Sequence, residues 1–232
     1  MGLSRRPGPE RVSNLVLRIV SAAVLAPVAV VTAYLGGWLF AIFWGLAAGA
    51  VLWEWMKLVE GPGWVFAGII YAGALLAAPL VLRADDELGF LAMVLLFAIV
   101  WTTDIAGYFA GRSIGGPKLL PAISPKKTWS GAIAGAAGAM IVAVLIASLF
   151  GSFPRATIAG IALLLSVVSQ LGDLLESWIK RRFGAKDASQ LIPGHGGVMD
   201  RLDGFWAAAL VGCLIGLLRG GLDGATRGLL VW

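Results

Sequence analysis

The chain predicts an all-α, polytopic integral membrane protein, and three observations carry that reading. Of its 232 residues 59% are apolar and 13% charged, with a mean hydropathy of +0.89; soluble domains carry roughly 25% charged residues. Apolar runs recur that are each about 20 residues long, the length a helix needs to cross a hydrocarbon core. Fourteen of the eighteen Lys and Arg residues fall in every second connection between those runs. A soluble domain built around a core would show none of the three.

Seven spans are expected, over about 15–35, 38–58, 64–83, 88–111, 131–150, 156–180 and 204–219. The N-terminus is basic and then apolar, as a signal peptide is. Its apolar stretch is too long and lacks a small-residue cleavage site, so it reads as a retained first helix. Pro27 and Pro79 fall inside spans, where neighbouring helices can satisfy the freed backbone. Gly36-Gly37, Gly61-Pro62-Gly63, residues 84–87 and residues 151–154 read as short turns. Two longer polar connections remain, 112–130 and 181–203. The whole chain, 1–232, is expected to form one membrane-embedded domain, with N-terminal helices over 1–90 and the working helices and loops over 91–220.

Orientation follows from the basic residues. With the N-terminus in the cytoplasm, Arg5, Arg6, Arg11, Arg18, Lys57, Arg112, Lys118, Lys126, Lys127, Lys180, Arg181, Arg182, Lys186 and Arg201 lie inside. Arg83, Arg155, Arg219 and Arg227 lie outside. Both long polar loops then share the cytoplasmic face. The net charge of +5 comes from these loops, and no aromatic-plus-basic sheet pattern points to nucleic acid. Cys213 is the sole cysteine, so no intrachain disulfide forms. The 32 glycines include small-xxx-small pairs at Gly107/Gly111, Gly131/Gly135 and Gly212/Gly216/Gly220, which permit close helix contact.

The chemistry concentrates in residues 177–203, SWIKRRFGAKDASQLIPGHGGVMDRLD. Carboxylates for a metal, cations for phosphates and glycines for close backbone approach are what a polyphosphate bound with a divalent cation requires. Just upstream, Ser169, Asp173, Glu176/Ser177 and Lys180 fall on one helical stripe. Asp173 lies about two turns inside the span, and an intramembrane carboxylate is a functional candidate by default. Asp200 and Asp203 are three apart at the start of the last span, where either could cap the helix. Two carboxyls there repel unless a cation sits between them, which points to a metal. Magnesium suits oxygen donors with no Cys pair and one His, His195, in its glycine-rich turn.

The loop 112–130 contains Ser124-Pro125-Lys126-Lys127-Thr128-Trp129-Ser130-Gly131 ahead of a helix, a plausible anion cradle. A juxtamembrane lysine pair also serves topology and lipid headgroups. Asp104, Tyr108 and Arg112 recur every four residues, so Arg112 or another loop cation is the expected partner of Asp104. Glu54, with Lys57 three residues on, reads as an interfacial charge with a local ion pair.

The segment 177–203 resembles the signature of the CTP:phosphatidate cytidylyltransferase (CDP-diacylglycerol synthase) family. Ser177, Ile179, Lys180, Arg181, Lys186, Asp187, Ser189, Ile192, Pro193, His195, Gly196, Gly197, Val198, Asp200, Arg201, Leu202 and Asp203 meet every specified position without a gap. Gln170-Leu171-Gly172-Asp173, Ser124–Trp129 and Trp101-x-x-Asp104 to Gly111-Arg112 look like further family segments. The likeness covers roughly 100–220, and residues 1–90 share only the pattern. Ser130 departs from a larger polar or acidic residue, and the chain looks about two spans short of many members.

The resemblance implies transfer of the cytidylyl group of CTP to phosphatidic acid, yielding CDP-diacylglycerol and pyrophosphate. It implies a multi-pass protein of a bacterial-type inner membrane, sometimes a homodimer, that needs Mg²⁺, with a second cation an open question. Carried over by position, Asp173, Asp200, Lys180, Arg181, Lys186, Asp187, His195 and Arg201 would act in catalysis. Ser124, Lys126, Lys127, Thr128, Ser177, Gly196, Gly197 and Asp104 would bind substrate, and Asp173, Asp200 and Asp203 the metal. The competing readings are an ion-coupled transporter using Asp104 and Asp173, and another CTP-dependent lipid phosphotransferase. Inverted repeats would favour the first and an Asp-rich helical motif the second; neither is evident.

Overall fold

In a computed structural model the structure describes residues 9–189, 191–192 and 196–232. Each expected span is a helix: α1 (Pro9–Leu35), α2 (Gly37–Leu58), α3 (Pro62–Arg83), α4 (Gly89–Ser113), α5 (Trp129–Phe150), α6 (Arg155–Arg182) and α7 (Met199–Gly220). Helices α2 to α7 are each long and apolar enough to cross a membrane, and α1 adds a shorter apolar stretch, Ala23–Leu35. Pro27 and Pro79 both sit within continuous helix. The protein is an all-α polytopic membrane protein.

Three features go beyond the list of spans. The loop after α4 contains an antiparallel hairpin, β1 (Lys118–Leu120) and β2 (Ser124–Thr128), with an irregular register between Lys118 and Leu120. Gly115 and Gly116 lead into it with φ of 69° and 100°, a conformation that favours glycine. Pro125 is tolerated because each strand of a two-stranded ribbon is an edge. The second feature is that α7 starts at Met199, five residues before the apolar run, which places Asp200 and Asp203 within its first turns. The third is a short helix, α8 (Ala225–Leu230), folded back against α7.

The alternation of helices sends the 114–128 and 183–198 connections to one end of the bundle. At the opposite end, Arg83 of α3 donates from Nε to the Ala33 carbonyl at the end of α1, 2.6 Å away. Arg227 pairs there with Asp85 and Glu87.

In a bilayer, lipid tails solvate apolar side chains as well as other helices do, so close packing must hold helices together. The α4–α5 seam uses glycine for this. A Cβ at Gly131 would lie 2.6 Å from the Gly107 carbonyl, and one at Gly135 would lie 2.6 Å from the Thr103 carbonyl. The expected pairs at Gly107/Gly111 and Gly131/Gly135 thus face each other. Gly216 and Gly220 abut α8, whereas Gly212 makes only ordinary contacts. Buried hydroxyls of Thr103 and Ser166 share a 2.7 Å hydrogen bond between α4 and α6. Around α7, Phe205 stacks on Trp44 and Phe97, and Trp206 stacks on Tyr71 at 4.1 Å while donating to the Tyr71 carbonyl.

Candidate active site

A cavity of about 570 Å³ opens at the end that holds both polar connections. Its walls come from α4 (Thr103, Asp104, Gly107, Tyr108, Gly111, Arg112), from the hairpin (Lys118, Leu119, Lys126, Lys127, Thr128), and from Gly131, Ala132, Gln170 and Asp173. The hairpin alternates as a strand must. Lys126 points to solvent, Lys127 inward, and Thr128 is buried as the N-cap of α5, accepting the Gly131 amide at 3.2 Å. The capping bond and the close α4–α5 seam bring the positive end of α5 up to the cavity wall.

Lys127 forms an ion pair with Asp173, joining the two polar regions across α5 and α6. Asp173 also accepts from Ser177 Oγ at 3.3 Å. Asp104 faces Asp173, Lys127 and Arg201 as its charged neighbours. Arg112 instead donates to the Tyr108 hydroxyl at 3.1 Å, so Lys127 of the hairpin and Arg201 of α7 rather than Arg112 oppose Asp104. Asp203 stands in the field of Asp173, Asp104 and Lys127, with one oxygen accepting the Gly204 amide. Asp104 and Asp203 thus both feel Asp173 and its partner Lys127.

A second knot lies beside the first. Lys180 Nζ is 2.6 Å from Asp200 and 2.7 Å from Glu176, bridging the end of α6 to the start of α7. Among the described residues, the Glu176 oxygens accept no well-angled hydrogen bond beyond that ion pair. Asp200 also accepts the amides of Gly197 at 2.7 Å and Ala188 at 3.1 Å. Gly196, with φ of 89°, packs so closely on Asp200 that an added Cβ would lie 2.8 Å from its carboxyl. Asp173 and Asp200 therefore each have a lysine of their own.

The other expected residues divide by position. Ser124 is half-buried at the start of β2 and lies outside the cavity wall. Arg181, Lys186, Asp187 and Arg201 are exposed, with Arg181 donating to the Ala185 carbonyl. His195, Gly194 and Pro193 lie outside the described residues. Lys118, Gln170 and Glu176 were not among the expected site residues, although Glu176 shares the helical stripe of Asp173 and Lys180 and Gln170 belongs to a segment that resembles the family.

Glu54 requires a correction. The expected local pair with Lys57 is absent, because the Lys57 ammonium sits 3.8 Å over the Trp53 ring. Glu54 is instead fully buried and reaches the connection before α7. It accepts from Ser189 Oγ at 2.6 Å and from the amides of Val198 and Met199 at 2.8 and 2.7 Å. No local spacing encodes a contact across so much of the chain.

Fold and site define a class: a multi-helix membrane protein with a cation- and carboxylate-lined cavity at one end of its bundle. The chain belongs to the cytidylyltransferase family, whose model matches residues 63–217. It is 52% identical over 173 residues to the phosphatidate cytidylyltransferase of Brucella suis biovar 1 (strain 1330), covering 75% of this chain and 64% of that protein. The chain thus spans less than two thirds of that relative's length. The phosphatidate cytidylyltransferase of Rickettsia bellii (strain RML369-C) is 40% identical over 200 residues, 82% of this chain and 86% of the relative. That of Haemophilus influenzae is 44% identical over 133 residues, 53% and 45% of the two chains.

Proposed function

We propose that this chain transfers the cytidylyl group of CTP to phosphatidic acid, releasing pyrophosphate and forming CDP-diacylglycerol for phospholipid synthesis. The observation that carries the reading is the Lys127–Asp173 pair in the cavity wall. It joins the lysine hairpin to the helix that leads into the gap-free signature, around a space of suitable size for a phosphorylated headgroup or a triphosphate.

The lipid phosphate is the nucleophile. A phosphomonoester with a second pKa near 6 is largely dianionic at pH 7, so no strong general base is needed. Its oxygen forms a bond to the α-phosphorus of CTP as the α–β bridging bond breaks, and pyrophosphate departs with the electron pair. The barrier lies in bringing two polyanions together and in stabilising charge on the leaving group. Arg112, Lys118, Lys126 and Lys127 supply positive charge along the cavity wall, and the N-terminus of α5 adds its dipole. Lys180 and Arg181 at the end of α6, Lys186 in the connection and Arg201 at the start of α7 extend that field. Thr128 caps α5 at the cavity wall, Ser177 donates to Asp173, and Ser124 stands at the start of β2, so all three are assigned to substrate binding by the resemblance alone.

A divalent cation fits the donor set. Asp104, Asp173 and Asp203 bear on one another electrostatically with Lys127 and Arg201 as counter-charges, and every ligand offered is a hard oxygen. Among the described residues no three acidic, His or Cys side chains form a cage by themselves. Mg²⁺ takes one or two carboxylates and completes its shell with water and substrate phosphate. Asp173 and Asp203 would hold it beside Asp104, with Asp200, which here meets Lys180, the remaining ligand that the resemblance implies, and when bound it would neutralise phosphate oxygens. The fourteen-to-four division of basic residues supports a cytoplasmic placement of this end of the bundle, facing the pool of nucleotides.

The test is pyrophosphate release by the purified protein given CTP, with and without phosphatidic acid, and with chelator. Release that requires both phosphatidic acid and Mg²⁺ is expected. Absence of release, with ion-coupled uptake in vesicles, would replace this reading by the transporter.

A further inference from the structure

Glu54 lies on α2, ahead of the stretch that the family model matches and far from the signature in sequence. A fully buried carboxyl inside an apolar helix is costly unless its oxygens are satisfied. Here they are, by groups on both sides of one connection. Ser189 lies before it, and Val198 and Met199 open α7. The first amides of a helix have no partner within the helix. Val198 is the N-cap of α7 and has no side-chain cap bond of its own, so Glu54 supplies the cap from another helix. The next amide back, that of Gly197, goes to Asp200. A Cβ on Gly197 would lie 2.8 to 3.0 Å from the Glu54 carboxyl.

We infer that Glu54 is a positioning residue for the cytidylyl transfer: it clasps both sides of the 189–198 connection to α2 and so sets the register of Asp200 against Lys180. The inference rests on the function proposed above. The two amide contacts fix the start of α7 relative to α2, the Ser189 contact ties in the other side of the connection, and Asp200 follows on the same turn, one residue after Met199. Without the clasp, the Asp200 carboxyl keeps its chemistry but loses its place. Displacements of about 1 Å in such a site can cost a hundredfold in rate.

Glu54→Gln keeps the volume but turns one acceptor into a donor facing an amide or hydroxyl. In purified full-length protein, the expected result is a fall in kcat of about ten- to a hundredfold, with KM for CTP within about twofold of wild type. Hydrogen exchange at the Val198 and Met199 amides should rise about tenfold or more. Gly197→Ala, which crowds the same carboxyl, should act in the same direction. Combined with Glu54→Gln it should add less than the sum of the single effects. A kcat per folded molecule within twofold of wild type, or unchanged exchange at both amides, overturns the inference. Should Glu54→Gln not fold, Ser189→Ala removes one of the three contacts and should still slow turnover about threefold or more, with an unchanged rate counting against the clasp. If wild-type protein makes no pyrophosphate, the proposed reaction fails, and the exchange measurement still decides whether the clasp exists.

Discussion

Lys127, on a two-stranded hairpin, and Asp173, two turns inside a transmembrane helix, meet in an ion pair that forms part of the cavity wall. Neither residue's neighbourhood in sequence contains the other. The pair sets apart the two lysines of the hairpin, because Lys126 is exposed while Lys127 is directed inward.

Lys127→Ala and Lys126→Ala should therefore differ. Loss of Lys127 leaves Asp173 without its counter-charge and is expected to lower kcat/KM about a hundredfold, in the range seen when one stabilising donor is removed. Loss of Lys126 should mainly raise the apparent KM for one anionic substrate. Steady-state kinetics with CTP and phosphatidic acid varied in turn would separate the two. Equal effects on both parameters would refute the distinction.

Asp173→Asn and Asp200→Asn are each expected to reduce turnover at least about a hundredfold. Their side effects should diverge. Asp200→Asn also removes one of the two carboxyls facing Lys180 and weakens the links to Gly197 and Ala188, so its thermal midpoint should drop more than that of Asp173→Asn. Near-normal rates at saturating Mg²⁺ for either variant would remove that residue from the proposed metal site.

Gly131→Ala or Gly135→Ala places a methyl group against a backbone carbonyl of α4, which cannot move aside as a side chain can. Overpacking of this kind costs about 1–3 kcal/mol. The midpoint in a detergent thermal scan should fall by several degrees. Gly49→Ala, where a Cβ meets nothing within 4 Å, is the control expected to leave it in place.

At the opposite end of the bundle, burial pushes the Asp85 carboxyl up, but the amides of Leu88 and Glu87 and the Arg227 guanidinium outweigh it and hold the group below its usual range. A lowered folded-state pKa contributes stability above the unfolded value, near 3.9, and that stability is lost as pH falls through the folded value. Wild type should therefore lose more thermal stability than Asp85→Asn on acidification from pH 7 to below 4, while the two turn over alike at pH 7. Parallel pH–stability curves would contradict this account.

The apolar runs, their lengths and the alternation of basic residues determined the seven helices, because crossing hydrocarbon leaves a helix no partner for its backbone but itself. The signature spacing likewise marked Asp200 and Lys180, and depth inside a span marked Asp173, since each is a charge whose cost in such a setting demands a use. Composition carried no record of the β1–β2 hairpin, where a short exposed ribbon lacks hydrophobic periodicity, whereas the three-residue spacing of Asp200 and Asp203 already pointed to a helix start near residue 200. Only the tertiary structure decided the partners: Lys127 with Asp173, Lys180 between Glu176 and Asp200, and Glu54 clasping the connection before α7. A carboxyl shows its charge in the sequence, but which donors satisfy it depends on helices that become neighbours only when the bundle packs.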